Sequence, residues 1–322
     1  MVIVMGMVTV APRLTCSSGR RHAGCGADDR SARPGTPVIA GSGDTFPTIV
    51  GCGAVGPGDA MISFGATGLL TLTTRPLAVA AAGPHFGAET DGGAIVWVAN
   101  VLTCGRSLMW FQDEFGAAVV GAGLAPALAP DFATLDRIAA AIPAGSEGLV
   151  ALPHLMSRRT PTPDPHTRGV LFGLTPGHTA AHIYRALLES FGYAVRQGYD
   201  SIRPRVRRIV ATAGGAASPL WRQIMADILG APIEHHPQAS GSLGIAFLAA
   251  YASGQVSGFD AIRDAWLAGP ELSIPNPSTR RTCDDLYRLY CHLDSSLSTA
   301  FAMLPAAVDA DEEMISGSLP SK

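Results

Sequence analysis

From residue 36 onward, short apolar runs alternate with longer stretches whose apolar positions recur every three or four residues. That succession is the pattern of strands and helices in turn. Residues 36–40 read as a short buried strand, Gly41-Ser-Gly43 as a turn, and residues 45–54 as a short helix of small side chains. Residues 61–64 and 69–73 are apolar runs flanking Gly65-Ala-Thr-Gly68, which predicts a β-hairpin. Pro57-Gly58, just ahead of it, marks a turn and a candidate domain boundary. Residues 93–115 hold Ile95, Val98, Leu102, Leu108, Phe111 and Phe115 at helix-like intervals and are expected to be helical. Further helices are predicted over 131–141, 179–197, 242–251 and 282–304, and strands over 206–213 and 233–235. The helix over 218–229 is the best punctuated: Ser218 suits the N-cap, Pro219 the first position and Gly230 the stop. Residues 158–166 must be a loop, because three prolines in five positions exclude a helix. Alternating strands and helices with a hairpin predict an α/β fold. Residues 1–34 follow neither period and are expected to be disordered. The acidic Ser/Gly-containing stretch 306–322 is expected to be a flexible tail.

Composition narrows the class. Of 322 residues, 47% are hydrophobic and 15% charged, which supplies a core and argues against a disordered chain. A formal net charge of -3 gives no global basic field, so neither nucleic acid nor a membrane is expected as a partner. The cysteines at 16, 25, 52, 104, 283 and 291 form no CxxC pair. No histidine cluster completes a zinc pattern, so no metal site is expected from protein ligands alone. Scattered thiols suit a reducing cytoplasm, the expected location. The apolar first ten residues are too short to cross a bilayer, which takes about 20.

Three glycine-bearing stretches carry candidate chemistry. Asp44 closes Ile39-Ala-Gly-Ser-Gly-Asp44, where a strand gives way to a helix. It reads either as an N-cap for free backbone N–H groups or as a general base that accepts the proton of a hydroxyl attacking phosphorus. Ser63-Phe-Gly-Ala-Thr-Gly68 reads as an ordinary hairpin loop or as a cradle of N–H groups for phosphate, with the Thr67 hydroxyl as an added donor. In Ala213-Gly-Gly-Ala-Ala-Ser-Pro-Leu-Trp221, Gly214 and Gly215 serve a crossover turn or the close approach of adenine or ribose. This run is neither a Gly-x-Gly-x-x-Gly fingerprint nor a P-loop. His235 and His236 read as surface or strand-end histidines, Cys283 and Cys291 as packing residues, and Trp97, Trp110 and Trp221 as core or near-core aromatics. Arg158, Arg159 and Arg168 read as phosphate ligands or as part of a solvated loop.

Taken together, these motifs resemble the FGGY family of carbohydrate kinases over about residues 35–305. Four ordered stretches carry the likeness. They are Gly35-Thr-Pro-Val-Ile-Ala-Gly-Ser-Gly-Asp44; Pro57-Gly-Asp-Ala-Met-Ile-Ser-Phe-Gly-Ala-Thr-Gly68; Arg159 to Leu174 leading into His182-Ile-Tyr-Arg-Ala-Leu-Leu-Glu189; and Gly214 to Trp221 followed by Gly241-Ser-Leu-Gly-Ile-Ala246. The third fits the second signature of the family except at Leu187. The xylulose-kinase branch is the most similar. The resemblance implies an actin/hexokinase-like (ribonuclease H-like) ATPase domain. It also implies Mg²⁺-assisted transfer of the ATP γ-phosphoryl group to a sugar or polyol hydroxyl. It makes Asp44 the catalytic base, assigns Gly65, Ala66 and Thr67 to the phosphates, and assigns Gly214, Gly215 and Ser218 to adenosine. Where the family usually has Thr, this chain has Ala66, a lost hydroxyl for which neighbouring Thr67 is a substitute.

The larger departure is at the start. The first domain of the family opens with an Asp-x-Gly-Thr phosphate loop and carries most sugar contacts, and nothing before Gly35 matches it. The expectation is a truncated product with negligible kinase activity alone. Residues 1–34 would be unmatched, 35–58 a remnant of the first domain carrying the base, and 59–305 the C-terminal ATP-binding domain. The alternatives are a non-catalytic nucleotide-binding or partner-binding module, or one half of a split kinase completed by an N-terminal domain on another chain. An apolar wall exposed by a missing domain also favours homo-oligomers.

Overall fold

The computed structural model describes residues 43–77, 94–120 and 130–304, together with three short strands earlier in the chain. Those strands are β1 (Val2–Val4), β2 (Leu14–Thr15) and β3 (Pro37–Ala40). β3 lies between the other two, parallel to β1 and antiparallel to β2. The strand expected near residues 36–40 is therefore present. Most of residues 1–34, the Gly41 turn position and the tail from 305 lie outside the described residues.

After α1 (Thr45–Gly51), the predicted hairpin forms as β4 (Asp59–Phe64) and β5 (Gly68–Thr73). Next come β6 (Ile95–Val101), α2 (Cys104–Val120), α3 (Phe132–Ala139), the strand pair β7 (Val150–Leu152) and β8 (Val170–Phe172), and the long α4 (Ala180–Ile202). The chain continues through β9 (Arg208–Thr212), α5 (Pro219–Leu229), β10 (Ile233–His235), α6 (Gly241–Ala252), β11 (Glu271–Ser273), α7 (Arg280–Ser296) and α8 (Ser298–Ala302). Six strands make the main sheet in the order β11-β10-β9-β4-β5-β6. β4, β9 and β10 run parallel, while β5, β6 and β11 run antiparallel to their neighbours.

Both faces of this sheet are covered, which is why its central strands read as unbroken apolar runs. Ala60, Ile62, Phe64, Leu70, Leu72, Ile209 and Ala211 face one core, with α2, α4, α5 and α7. Met61, Leu69 and Val210 point the other way, toward Ile49 and Val50 of α1 and Phe247 of α6. Period-two alternation thus assigns successive residues of one strand to two separate cores.

Residues 93–115 correct the expectation of one helix. The first part is β6, at the edge of the sheet, and only from Cys104 does the chain become helical. Ile95, Val98 and Leu102 imitated a helical period. However, Ile-Val-Trp-Val is β-branched and aromatic, and it pairs against β5 with a register irregularity at Leu70/Thr71. Trp97 on this edge is 51% exposed and Trp110 is also exposed, so of the three tryptophans read as core only Trp221 is buried. The final helix breaks at Leu297 into α7 and α8. Among the described residues, no helix is long and apolar enough to cross a membrane.

Candidate functional site

Parallel strands end on one side of a sheet, and an open crevice forms beyond their carboxyl ends. Here that crevice is a cleft of about 880 Å³. β4 contributes Ser63, β9 contributes Thr212 and β10 contributes His235, with Glu271 at the start of β11 beside them. The opposite wall comes from Asp44 and Thr48 of the α1 region and from Ala239, Ser240 and Gly241 at the start of α6. Gly65, Ala66, Thr67, Ala213, Gly214 and Ala217 complete it. Five of the seven residues singled out in the sequence, Asp44, Gly65, Ala66, Thr67 and Gly214, therefore meet around one space. Gly215 and Ser218 do not line it.

Asp44 occupies the N-cap position of α1 in helical geometry, and its side chain makes no cap hydrogen bond. Its backbone carbonyl takes the Thr48 hydroxyl at 2.7 Å, and Oδ1 accepts from the Thr45 hydroxyl at a long 3.3 Å. The carboxylate is exposed on the cleft rather than spent on the helix. α1 is held in place by close backbone contact with α6. A Cβ added at Gly244 would lie 1.8 Å from the Pro47 carbonyl oxygen, and one at Gly51 would lie 2.0 Å from that of Ser240. Only glycine at both positions permits this approach.

The three-residue loop between β4 and β5 is fixed from behind. The N–H of Gly105, in the first turn of α2, donates to the Gly65 carbonyl at 2.9 Å, and that of Arg106 donates to the Ala66 carbonyl at 3.3 Å. The Thr67 hydroxyl donates to the Leu102 carbonyl at 3.3 Å. The amides of Gly65, Ala66 and Thr67 take no part in the described hydrogen bonds. The loop thus has the Gly65 and Ala66 carbonyls occupied and its amide donors available.

The glycine pair after β9 divides into two roles. Gly214 has open space where a side chain would go. At Gly215, by contrast, a Cβ would meet the Trp221 ring at 2.4 Å and the Phe64 carbonyl at 2.8 Å. Trp221 stands edge-on to Phe64 and Phe191 and donates its indole N–H to the Leu188 carbonyl, so Gly215 seats the turn on an aromatic base. Ser218 does what its cap position predicts, accepting the Trp221 N–H at 3.0 Å. Just before the pair, Ala213 adopts φ 69° and ψ 176°, a region of backbone space that glycine alone occupies without strain.

Sequence reading missed the polar group at the far end of the cleft. Of the surface and strand-end readings of the histidine pair, the strand-end one holds for His235, the last residue of β10, and both His235 and His236 are buried. Buried Arg222 from α5 donates to the Ala216 carbonyl, to Glu271 Oε2 at 2.7 Å, and toward His235 Nδ1 at 3.2 Å. Burial, and after it the Arg222 charge, lowers the pKa of His235 below the ordinary histidine value. No local motif announced this cluster, because its members come from α5, β10 and β11.

Neither part of the signature stretch, residues 159–174 and 182–189, lines the cleft. Arg158, read as a phosphate ligand or a solvated residue, instead pairs with buried Asp294 of α7 at 2.8 Å and with Asp164 at 3.6 Å. His154 Nε2 stands 3.2 Å from the same Asp294 carboxylate. Burial alone would raise the Asp294 pKa, but His154 and Arg158 outweigh it and hold the group below the ordinary aspartate value. Glu189 is buried against Arg185, the Gly145 N–H and the Ser146 hydroxyl. Cys283 is buried in the main core, as expected of a packing residue.

Comparison with known proteins bears on the cleft. Residues 60–253 match the model of the FGGY family of carbohydrate kinases, C-terminal domain. A gluconokinase of Bacillus subtilis is 31% identical over 239 residues, which cover 72% of this chain and 46% of the relative. A xylulose kinase of Lactococcus lactis is 27% identical over 259 residues, covering 79% and 50%. The crystal structure of xylulose kinase from Rhodospirillum rubrum superposes with a TM-score of 0.67 at 28% identity, covering 84% of this chain and 54% of that one. The chain spans about half the length of the curated relatives it matches. The architecture is that of the actin/hexokinase-like ATPases to which such kinases belong.

Proposed function

Because the chain belongs to the FGGY family of carbohydrate kinases, we propose that its cleft binds ATP. We further propose that Asp44 is the base in phosphoryl transfer to a sugar or polyol hydroxyl, with a xylulose-like acceptor favoured. One observation carries this reading: Asp44, the Gly65–Thr67 loop and Gly214, 170 positions apart at the extremes, line a single cleft.

The chemistry follows from what each wall offers. The amides of Gly65, Ala66 and Thr67 hold the phosphate oxygens, and the Thr67 hydroxyl, only weakly held by Leu102, is a further donor. Gly214 leaves room for the nucleoside, while Gly215 and Ser218 act indirectly by seating the turn and capping α5. Asp44 takes the acceptor proton as the hydroxyl oxygen attacks the γ-phosphorus.

Mg²⁺ commonly binds through one or two carboxylates plus substrate phosphates. Among the described residues, the cleft lining offers Mg²⁺ no carboxylate beyond the proposed base Asp44 and the Arg222-paired Glu271, so the triphosphate oxygens would be its main ligands. When bound with the triphosphate, Mg²⁺ neutralises phosphate charge.

Calorimetric titration with MgATP is the deciding measurement. Saturable binding is expected, and Gly214→Val, which fills the open space beside the turn, should abolish it while leaving the melting temperature nearly unchanged. No heat of binding to the wild-type protein at millimolar MgATP would overturn the reading. Because the chain alone is expected to have negligible kinase activity, sugar-dependent ADP release with D-xylulose or D-gluconate is measured with an N-terminal kinase domain supplied, and there Asp44→Asn should lower it by about a hundredfold or more.

A further inference from the structure

His235 at the end of β10 and Glu271 at the start of β11 line the same cleft, and the reading above gives them no role. His235 and Glu271 are direct partners across the β10–β11 pairing, so their side chains leave the sheet on the same face. Arg222 holds both. His235 Nδ1 lies 3.2 Å from the Arg222 guanidinium, which can only donate, and 3.5 Å from Glu271 Oε2; the shorter contact favours Nδ1 as the acceptor, which puts the ring proton on Nε2. Burial, and after it the Arg222 charge, lowers the His235 pKa and so favours the neutral ring. Glu271 Oε2 is occupied by Arg222, which leaves Oε1 as an acceptor on a side chain that is 55% exposed.

An acceptor oxygen and an N–H donor side by side match a vicinal diol, in which each hydroxyl both donates and accepts. β10 is two strands from β4, about 10 Å, and a triphosphate chain bridges a gap of that order from the Gly65–Thr67 loop. Resting on the nucleotide reading above, we propose that Glu271 and His235 recognise the ribose 2′- and 3′-hydroxyls. They would thereby make the cleft selective for ribonucleotides, with Arg222 as the residue that positions both.

The test compares MgATP, 2′-deoxy-ATP and 3′-deoxy-ATP by calorimetry on the wild-type protein, which requires no variant to fold. Each deoxy form should bind on the order of tenfold more weakly, the effect of losing one hydrogen bond in the cleft. Glu271→Gln keeps a carbonyl for Arg222 but turns a donor toward the cleft. It should weaken ATP binding and erase the preference for ribose, leaving 2′-deoxy-ATP affinity nearly unchanged. Equal wild-type affinity for all three nucleotides overturns this assignment while the nucleotide reading stands, as does a Glu271→Gln protein that keeps full selectivity. A wild-type protein that binds none of them removes the nucleotide reading and this proposal with it.

Discussion

Asp44 shows how far a single position can be read. Its place at a strand-to-helix junction was equally consistent with a cap and with a base. In the structure its side chain makes no cap hydrogen bond, which removes the cap reading and leaves the base as a proposal. Asp44→Asn should therefore change unfolding stability by less than about 0.5 kcal/mol, against the ~1 kcal/mol typical of a lost cap; urea denaturation checks this. Ala213 is the converse, an unremarked residue in a backbone conformation proper to glycine. Ala213→Gly should relieve strain and, after the entropy cost of glycine, stabilise the protein by about 1 kcal/mol in the same assay. The sequence paired Gly214 with Gly215, and nothing local distinguishes them. The difference lies in Trp221 and Phe64, which crowd one and leave the other open.

The crossing of α1 and α6 decides where the Asp44 wall stands relative to the sheet. Ala at position 244 gains about 1 kcal/mol of helix propensity. That gain is outweighed by a Cβ placed against the Pro47 carbonyl. Gly244→Ala should destabilise by about 2 kcal/mol net and weaken MgATP binding more than its stability loss accounts for, because the α1 wall shifts. The 158–168 loop is tied to α7 through Asp294, whose side chain is 4% exposed. Its pKa is depressed in the folded state, so its contribution is complete above the unfolded value of about 3.9 and is lost as pH falls through the lower folded value. Asp294→Asn should cost about 3 kcal/mol at pH 7. The gap in melting temperature from wild type should begin to close as pH falls below about 4; a gap independent of pH would contradict the assignment. β6 was misread because its apolar spacing fits two periods, and pairing to β5 selects one of them.

Across the whole molecule, one sheet with a core on each face sets its strand ends against the α1 and α6 wall, and the cleft is what lies between. A ligand that binds there only in the folded state stabilises by mass action. MgATP at a hundred times its dissociation constant should add about 2.7 kcal/mol to unfolding stability, and the Gly214→Val protein should show no such gain in a thermal melt. The α/β class, the hairpin, the helix caps of α5 and three of the stretches that build the cleft were legible in the chain. Each depends on neighbours within a few residues: turn glycines, cap hydroxyls and the period of apolar side chains. Convergence was not legible. The Arg222–His235–Glu271 group, the diversion of Arg158 and Asp294 into the fold's own support, and the separate tasks of two adjacent glycines arise from contacts between distant segments. Those contacts depend on how layers pack, and the local alternation of polar and apolar residues does not encode them.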